Sequence, residues 1–234
     1  MAMTEDKSWE TKISAFAALD EPTRRRLYDY VICQSAPVSR DDAAAAVQLP
    51  RNTAAFHLER LVDEGLLSVV YERRTGRTGP GSGRPSKLYQ RSQQQFDLSL
   101  PERRYELAGR LFAASIEEAT NTGESPRAVL ERRAAEVGRE LGTAVREATP
   151  GDRAAVVKTL ARYGFEPRTI DDEILLGNCP FHRLAQQHTD LVCGMNLCLL
   201  GGLLDGLAVS GLSARLEPSP DLCCVRLQPA DEQR

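Results

Sequence analysis

Apolar residues recur at helical spacing along most of the chain, and Pro, Gly and capping residues mark the breaks between runs. Trp9, Ile13, Phe16 and Ala17 share one face of a helix predicted over about Ser8–Leu19. Glu21-Pro22 opens a second helix with Leu27, Tyr30 and Val31 inward, since proline at the first turn gives up no hydrogen bond. Ser39, with Asp42 three residues on, predicts the N-cap of a short helix over Arg40–Val47. Gln48-Leu49-Pro50 turns the chain, and a further helix over about Arg51–Glu64 stops at Gly65. Its apolar stripe is Ala54, Leu58, Leu61 and Val62, so Asn52, Thr53, Phe56, His57 and Arg60 fall largely on the other side. Leu66–Tyr71 and Lys87–Gln90 then read as two strands of a hairpin with an overlong Gly/Pro-rich tip.

The second half repeats the helical pattern before turning to strands. Glu102–Thr120 predicts a long helix with Tyr105, Ala108, Leu111, Phe112, Ser115 and Ile116 on one stripe. That stripe needs a cover, read here as a second copy of the chain, with the chain's own C-terminal domain as the other reading. Ser125 caps a helix over about Pro126–Glu147 lined by Val129, Leu130, Ala134, Val137 and Leu141. Asp152 caps another to about Tyr163, with Val156, Val157, Leu160 and Ala161 inside and Gly164 as its stop. Phe165–Ile170 and Glu173–Leu176 predict a hairpin about Asp171-Asp172, followed by a short helix from Cys179-Pro180 to Gln187. Leu191–Leu207 is an apolar helix whose Gly194, Gly201, Gly202 and Gly206 allow another backbone close. Ala214–Glu217 and Leu222–Leu227 close the chain as strands, an order that fits helices on one face of an antiparallel sheet.

Charge sharpens this division. The 234 residues carry 30 Lys plus Arg, 33 Asp plus Glu and a net charge of -3, which argues against a uniformly cationic binder. Residues 1–92 hold 14 basic against 12 acidic side chains, and the remainder 16 against 21. Between Arg73 and Arg91 every charged side chain is basic, namely Arg73, Arg74, Arg77, Arg84, Lys87 and Arg91. No run of about 18 apolar residues is evident, and MAMTEDKSWETK has no secretory pattern, so a cytoplasmic protein with no membrane partner is expected.

A helix, a three-residue turn and a second helix is the geometry that places the second helix in the major groove of double-stranded DNA. Arg51, Asn52, Thr53, Phe56, His57 and Arg60 are the candidate contacts from that helix, and Arg73, Arg74, Arg77, Arg84 and Lys87 those from the hairpin, where arginines suit the phosphate backbone. ALDEPTRRRLYDYV, RNTAAFHLERLVDEGLL and GRPSKLYQ, in that order over roughly residues 12–92, resemble the winged helix-turn-helix of ArsR-like bacterial transcriptional regulators. The resemblance implies that Asn52, Thr53, Phe56, His57 and Arg60 lie on a recognition helix, with Arg84 and Lys87 on the wing.

Five of the six cysteines follow residue 178. Cys179-x2-His182, Cys193 and the pair Cys223-Cys224 are soft donors that suit zinc or iron–sulfur ligation. Adjacent strand residues point to opposite faces, so one of Cys223 and Cys224 is expected to reach such a site, Cys223 being preferred and Cys224 its substitute. Cys33 and Cys198 read as small apolar residues. A basic winged helix followed by this arrangement resembles SufR-type iron–sulfur-sensing repressors. That likeness implies a cluster held by Cys179, Cys193 and Cys223 or Cys224, while a Cys3His set with His182 equally suits a closed zinc.

The expected architecture is mainly α with α+β parts. It comprises a winged helix-turn-helix over 1–92, a linker and dimerisation helix over 93–124, and a C-terminal α+β sensor domain over 125–234. The expected function is a homodimeric repressor binding operator DNA under control of an iron–sulfur cluster or metal. The alternatives are a regulator with a structural zinc, or one with a metal-free small-molecule pocket. An enzyme is not expected: the chain has no GxSxG, HExxH or P-loop, and an open metal position is the one enzyme-like possibility.

Overall fold

A computed structural model describes residues 8–72, 85–146 and 152–230. The chain divides into two compact units, Met1–Leu98 and Ser99–Arg234. The expected 93–124 segment is thereby split, and its long helix belongs to the second unit.

The first unit contains α1 (Trp9–Ala18), α2 (Pro22–Ile32), β1 (Val38–Ser39), α3 (Arg40–Ala46), α4 (Arg51–Asp63), β2 (Leu67–Glu72) and β3 (Ser86–Arg91). Strand β3 lies between β1 and β2, antiparallel to both, with Val69 opposite Tyr89 and Val38 also opposite Tyr89. The two-residue β1 escapes a periodicity reading because it is too short to alternate. Glu21 caps α2 through the Thr23 and Arg24 amides, and Ser39 and Asp42 form the reciprocal capping box that their spacing predicts.

Helix α4 stops because Gly65 takes φ +72°, which lets its own N–H reach the Val62 carbonyl while the Leu66 N–H reaches that of Leu61. The stop of α3 has the same hydrogen bonds, Gln48 to Ala45 and Leu49 to Ala44, with Gln48 at φ +56°. Leu27, Ala54, Leu58, Leu61 and Leu67 form the core of the unit. On α1 only Ala15 and Ala18 are buried, and the Trp9–Ile13–Phe16 face is exposed.

The second unit contains α5 (Tyr105–Thr122), α6 (Pro126–Arg146), α7 (Arg153–Arg162), β4 (Pro167–Ile170), β5 (Glu173–Leu176), α8 (His182–Gln187), α9 (Thr189–Leu207), β6 (Leu212–Leu216) and β7 (Val225–Pro229). The antiparallel sheet has the order β4-β5-β7-β6, with Ile174 opposite Leu227 joining the two hairpins. The expected turn at Asp171-Asp172 is present, Asp171 taking φ +51°.

Helices α6 and α9 run parallel at very close approach. Gly138 and Gly142 of α6 meet the backbone at Leu199–Leu203 and Leu203–Leu207, and Gly202 and Gly206 of α9 meet that at Ala135 and Arg139. By length and composition α9 is apolar enough to cross a membrane, contrary to the expectation from the sequence, yet most of it is buried within the unit.

The structure departs from the expected stripes at two helices. On α5, Ala108, Leu111, Ser115 and Ala119 are buried in the unit's own core, while Tyr105 and Ile116 remain exposed. The cover expected from a second chain is supplied there by this one. On α7, Ala155 and Thr159 join Val156 and Leu160 inside, and Ala161 is exposed.

Candidate nucleic-acid interface and thiol cluster

Burial of Ala54, Leu58 and Leu61 fixes the rotation of α4, and the opposite side presents Arg51, Asn52, Thr53 and Phe56 as exposed side chains. Phe56 is 68% exposed, a costly position for a ring unless another surface covers it. Arg51 Nε lies 2.6 Å from Asp41 Oδ1 on α3, an ion pair spanning the turn between the helices. Arg60 pairs with Glu64 one turn on, at 2.5 Å. His57 is largely tucked away: its side chain is 13% exposed, its Nδ1 lies 3.5 Å from Glu21 Oε2, and its ring meets Phe56 edge-on. The outward group at that end of the helix is therefore Phe56.

Lys87 is held against α4. Its Nζ lies 2.5 and 2.6 Å from the two Glu59 oxygens, and the Tyr89 hydroxyl donates to Glu59 Oε1 at 2.6 Å. Burial opposes the charge on Glu59, but the hydrogen bonds from Lys87 and Tyr89 prevail and hold its carboxyl below the ordinary range. Burial first, and then the Glu59 contact, pushes the Tyr89 phenol up. Glu59 carries no signal of this role in the sequence, because its partners lie 28 and 30 residues away. Tyr71, exposed near the end of β2, is a further aromatic that alternation alone does not single out. Arg73, Arg74, Arg77 and Arg84 lie outside the described residues.

In the second unit the sheet and α9 gather four sulfurs from three segments. Cys179 follows β5 on a loop pinned by Asn178, whose Nδ2 donates to the carbonyls of Gly164 at 2.5 Å and Glu102 at 3.1 Å. Arg103 Nη1 donates to Asn178 Oδ1 and, at 3.0 Å, to the Cys179 carbonyl. Cys223 and Cys224 precede β7 instead of lying within it, so strand alternation does not govern them. The Cys223 N–H reaches the Leu176 carbonyl at 2.9 Å, and the Cys224 carbonyl accepts from Glu217 at 2.7 Å.

Each of these thiols acts electrostatically on another cysteine, Cys223 on Cys179 and Cys224 on Cys193. The Cys223 contact, opposed by burial and aided by the Phe181 N–H and the Arg103 charge, favours the thiolate at Cys179. Cys223 keeps its proton, being pushed up by the same contact and by burial. Burial, followed by the Cys224 contact, raises Cys193 to about 12.

Asn196, three residues after Cys193 on α9, is 2% exposed, and its Nδ2 lies 3.4 Å from Cys223 Sγ. Neither Asn196 nor Arg103 stands out in the sequence as a site residue, although an Asn inside an apolar helix run is a signal that points to the first. His182 is exposed, and its backbone N–H donates to the Cys179 carbonyl at 3.0 Å. Cys33 lies exposed in the first unit, and Cys198 is half-buried on α9. Among the described residues, no three His, Cys, Asp or Glu side chains are grouped so as to hold a single metal ion.

No curated protein and no solved structure matches the chain. Residues 19–70, from the turn before α2 to the middle of β2, match a family model described as a helix-turn-helix domain. The first unit thus carries a helix-turn-helix domain of the kind found in DNA-binding transcriptional regulators.

Proposed function

We propose that the chain is a dimeric repressor of transcription whose hold on operator DNA is governed by an iron–sulfur cluster bound at the paired thiols of its second unit. One observation carries the DNA half of this reading: a helix-turn-helix whose second helix buries one face and turns Asn52, Thr53 and Phe56 outward. Asn and Thr offer hydrogen bonds to base edges or phosphate, and an exposed ring suits a thymine methyl. Arg51 and Arg60 add positive charge once their pairing with Asp41 and Glu64 gives way to phosphate. The exposed Trp9–Ile13–Phe16 face of α1 supplies an apolar seam for the second copy, and two copies would set recognition helices about 34 Å apart.

Donor chemistry supports the cluster. Cys179, Cys193, Cys223 and Cys224 are soft ligands from separate segments. Arg103 and Asn196 would then act as the neighbours that hold the ligand loop and donate to a sulfur. Bound, the cluster would supply a redox-sensitive tie between the β5–α8 loop, α9 and the segment before β7.

Anaerobic purification followed by visible absorption and metal and sulfide analysis tests the reading. The expected result is a brown protein with iron and sulfide, lost in Cys179→Ala and Cys193→Ala while helical content persists. Zinc without colour, or full iron occupancy in both variants, would overturn the assignment. Selection of bound duplexes from a random-sequence library, with and without the cluster, tests its control of DNA binding.

A further inference from the structure

We propose that Glu59 is a specificity-determining residue of α4, a carboxylate held ready to accept the groove-facing amine hydrogen of one cytosine in operator DNA. This role rests on the DNA-binding reading above and names one base that the helix selects. Asn52, Phe56 and Glu59 follow at intervals of four and three residues, which sets them along one side of the helix. That side is turned from Ala54, Leu58 and Leu61, and Asn52 and Phe56 are exposed on it. The Glu59 side chain is 46% exposed, so β3 leaves nearly half of it open.

A carboxylate offers about four lone-pair sites. Among the described residues, Lys87 Nζ takes one on each oxygen, at 2.6 Å from Oε1 and 2.5 Å from Oε2, and the Tyr89 hydroxyl takes a second on Oε1 at 2.6 Å. One site is left, on Oε2. Strand β3, which carries both donors, is itself fixed between β1 and β2. The two donors therefore hold the carboxylate at a set angle, and little side-chain freedom remains to be lost when a base is bound. An anion on this face would by itself weaken the hold on phosphate, and the Lys87 ammonium against it offsets that charge.

The base follows from what each edge presents in the major groove. Guanine O6 and N7 and thymine O4 are acceptors and repel a carboxylate. The adenine amine stands beside N7, a further acceptor, so a carboxylate drawn to the amine meets repulsion on the same edge. Cytosine presents its N4 amine with no acceptor of its own alongside. That amine spends one hydrogen on pairing with guanine and turns the other into the groove. A single donated hydrogen matches the single acceptor site left on Glu59.

The test selects bound duplexes from a random-sequence library with the full chain, both as purified and metal-free, and repeats the selection with Glu59→Gln. Glutamine keeps the shape and an oxygen that accepts from β3, but it removes the charge and suits adenine better than cytosine. The wild type is expected to select a cytosine that the variant relaxes or replaces with adenine. Changing that cytosine to thymine should cost the wild type about tenfold in affinity and the variant less than about twofold. N4-methylcytosine at the same position keeps the pairing and blocks the groove-facing hydrogen, so it should cost the wild type as much as thymine does. This last probe needs no variant, and it decides even if Glu59→Gln misfolds. The same base preference in the variant, a loss of affinity equal for all four bases, or wild-type binding indifferent to N4-methylcytosine at every selected cytosine would each overturn the assignment. A wild type that enriches no sequence in either form overturns the DNA-binding reading as well, whereas an enriched motif that Glu59→Gln leaves unchanged removes the role of Glu59 alone.

Discussion

Single residues are held most tightly where α6 and α9 meet. A Cβ on Gly202 would stand 2.0 Å from the Ala135 carbonyl oxygen, whereas one on the adjacent Gly201 would meet nothing within 4 Å. Gly202→Ala is therefore expected to force the helices apart and destabilise the unit by about 2–4 kcal/mol. Gly201→Ala removes the entropic penalty of glycine within a helix and should be neutral or stabilising by up to about 1 kcal/mol. Urea unfolding of both variants checks this, and equal losses would show that helix propensity, not backbone contact, sets the cost. The chain's apolar pattern marked Gly194, Gly201, Gly202 and Gly206 as points of close approach, of which only the last two meet a backbone, and it passed over Gly138 and Gly142. A lone glycine in a helix of mixed charge looks the same in sequence whether it faces solvent or another backbone.

Among the elements, α4 and β3 are joined by a polar link that an apolar stripe does not foresee. Glu59 accepts from both Lys87 and Tyr89, and Arg40 adds a favourable field. Because folding lowers the Glu59 pKa below its ordinary 4.5, the link stabilises the fold fully above that value. Its contribution falls as pH drops below 4.5 and is gone once the lowered folded value has been passed. The stability difference between the wild type and Glu59→Gln should accordingly be constant near neutrality and shrink in acid. A difference that grows as pH falls would rule out the carboxylate as its source. The helices themselves were largely legible, since Ser39–Asp42, Pro22 and Gly65 act through neighbours within a few residues. Lys87 was legible as a basic wing residue, but its tie to Glu59 was not.

For the molecule as a whole, the apolar faces left open decide how copies would associate. Helix α5, the seam expected from the sequence, spends its main stripe inside its own unit, so the dimer proposed above would close on Trp9, Ile13 and Phe16 of α1. Ile13→Glu, which places a charge on that seam, should shift the sedimenting species from dimer to monomer while circular dichroism remains unchanged. It should also weaken binding to paired half-sites more than to a single one. A dimer that survives the substitution would move the seam elsewhere. The same difference between pattern and placement applies to α9, which has the composition of a membrane span but is mostly buried in the unit's core.

By itself the sequence determined the helix limits, the hairpins, the outward side of α4 and the soft-donor character of the C-terminal half, because caps, glycine stops and periodicity operate over a few residues. Tertiary structure alone decided that Lys87 meets Glu59, that α5 is covered from within, and that Asn196 of α9 reaches Cys223. Those outcomes depend on which distant segments share a neighbourhood once the cores close. No local rule encodes a contact between residues so far apart in the chain.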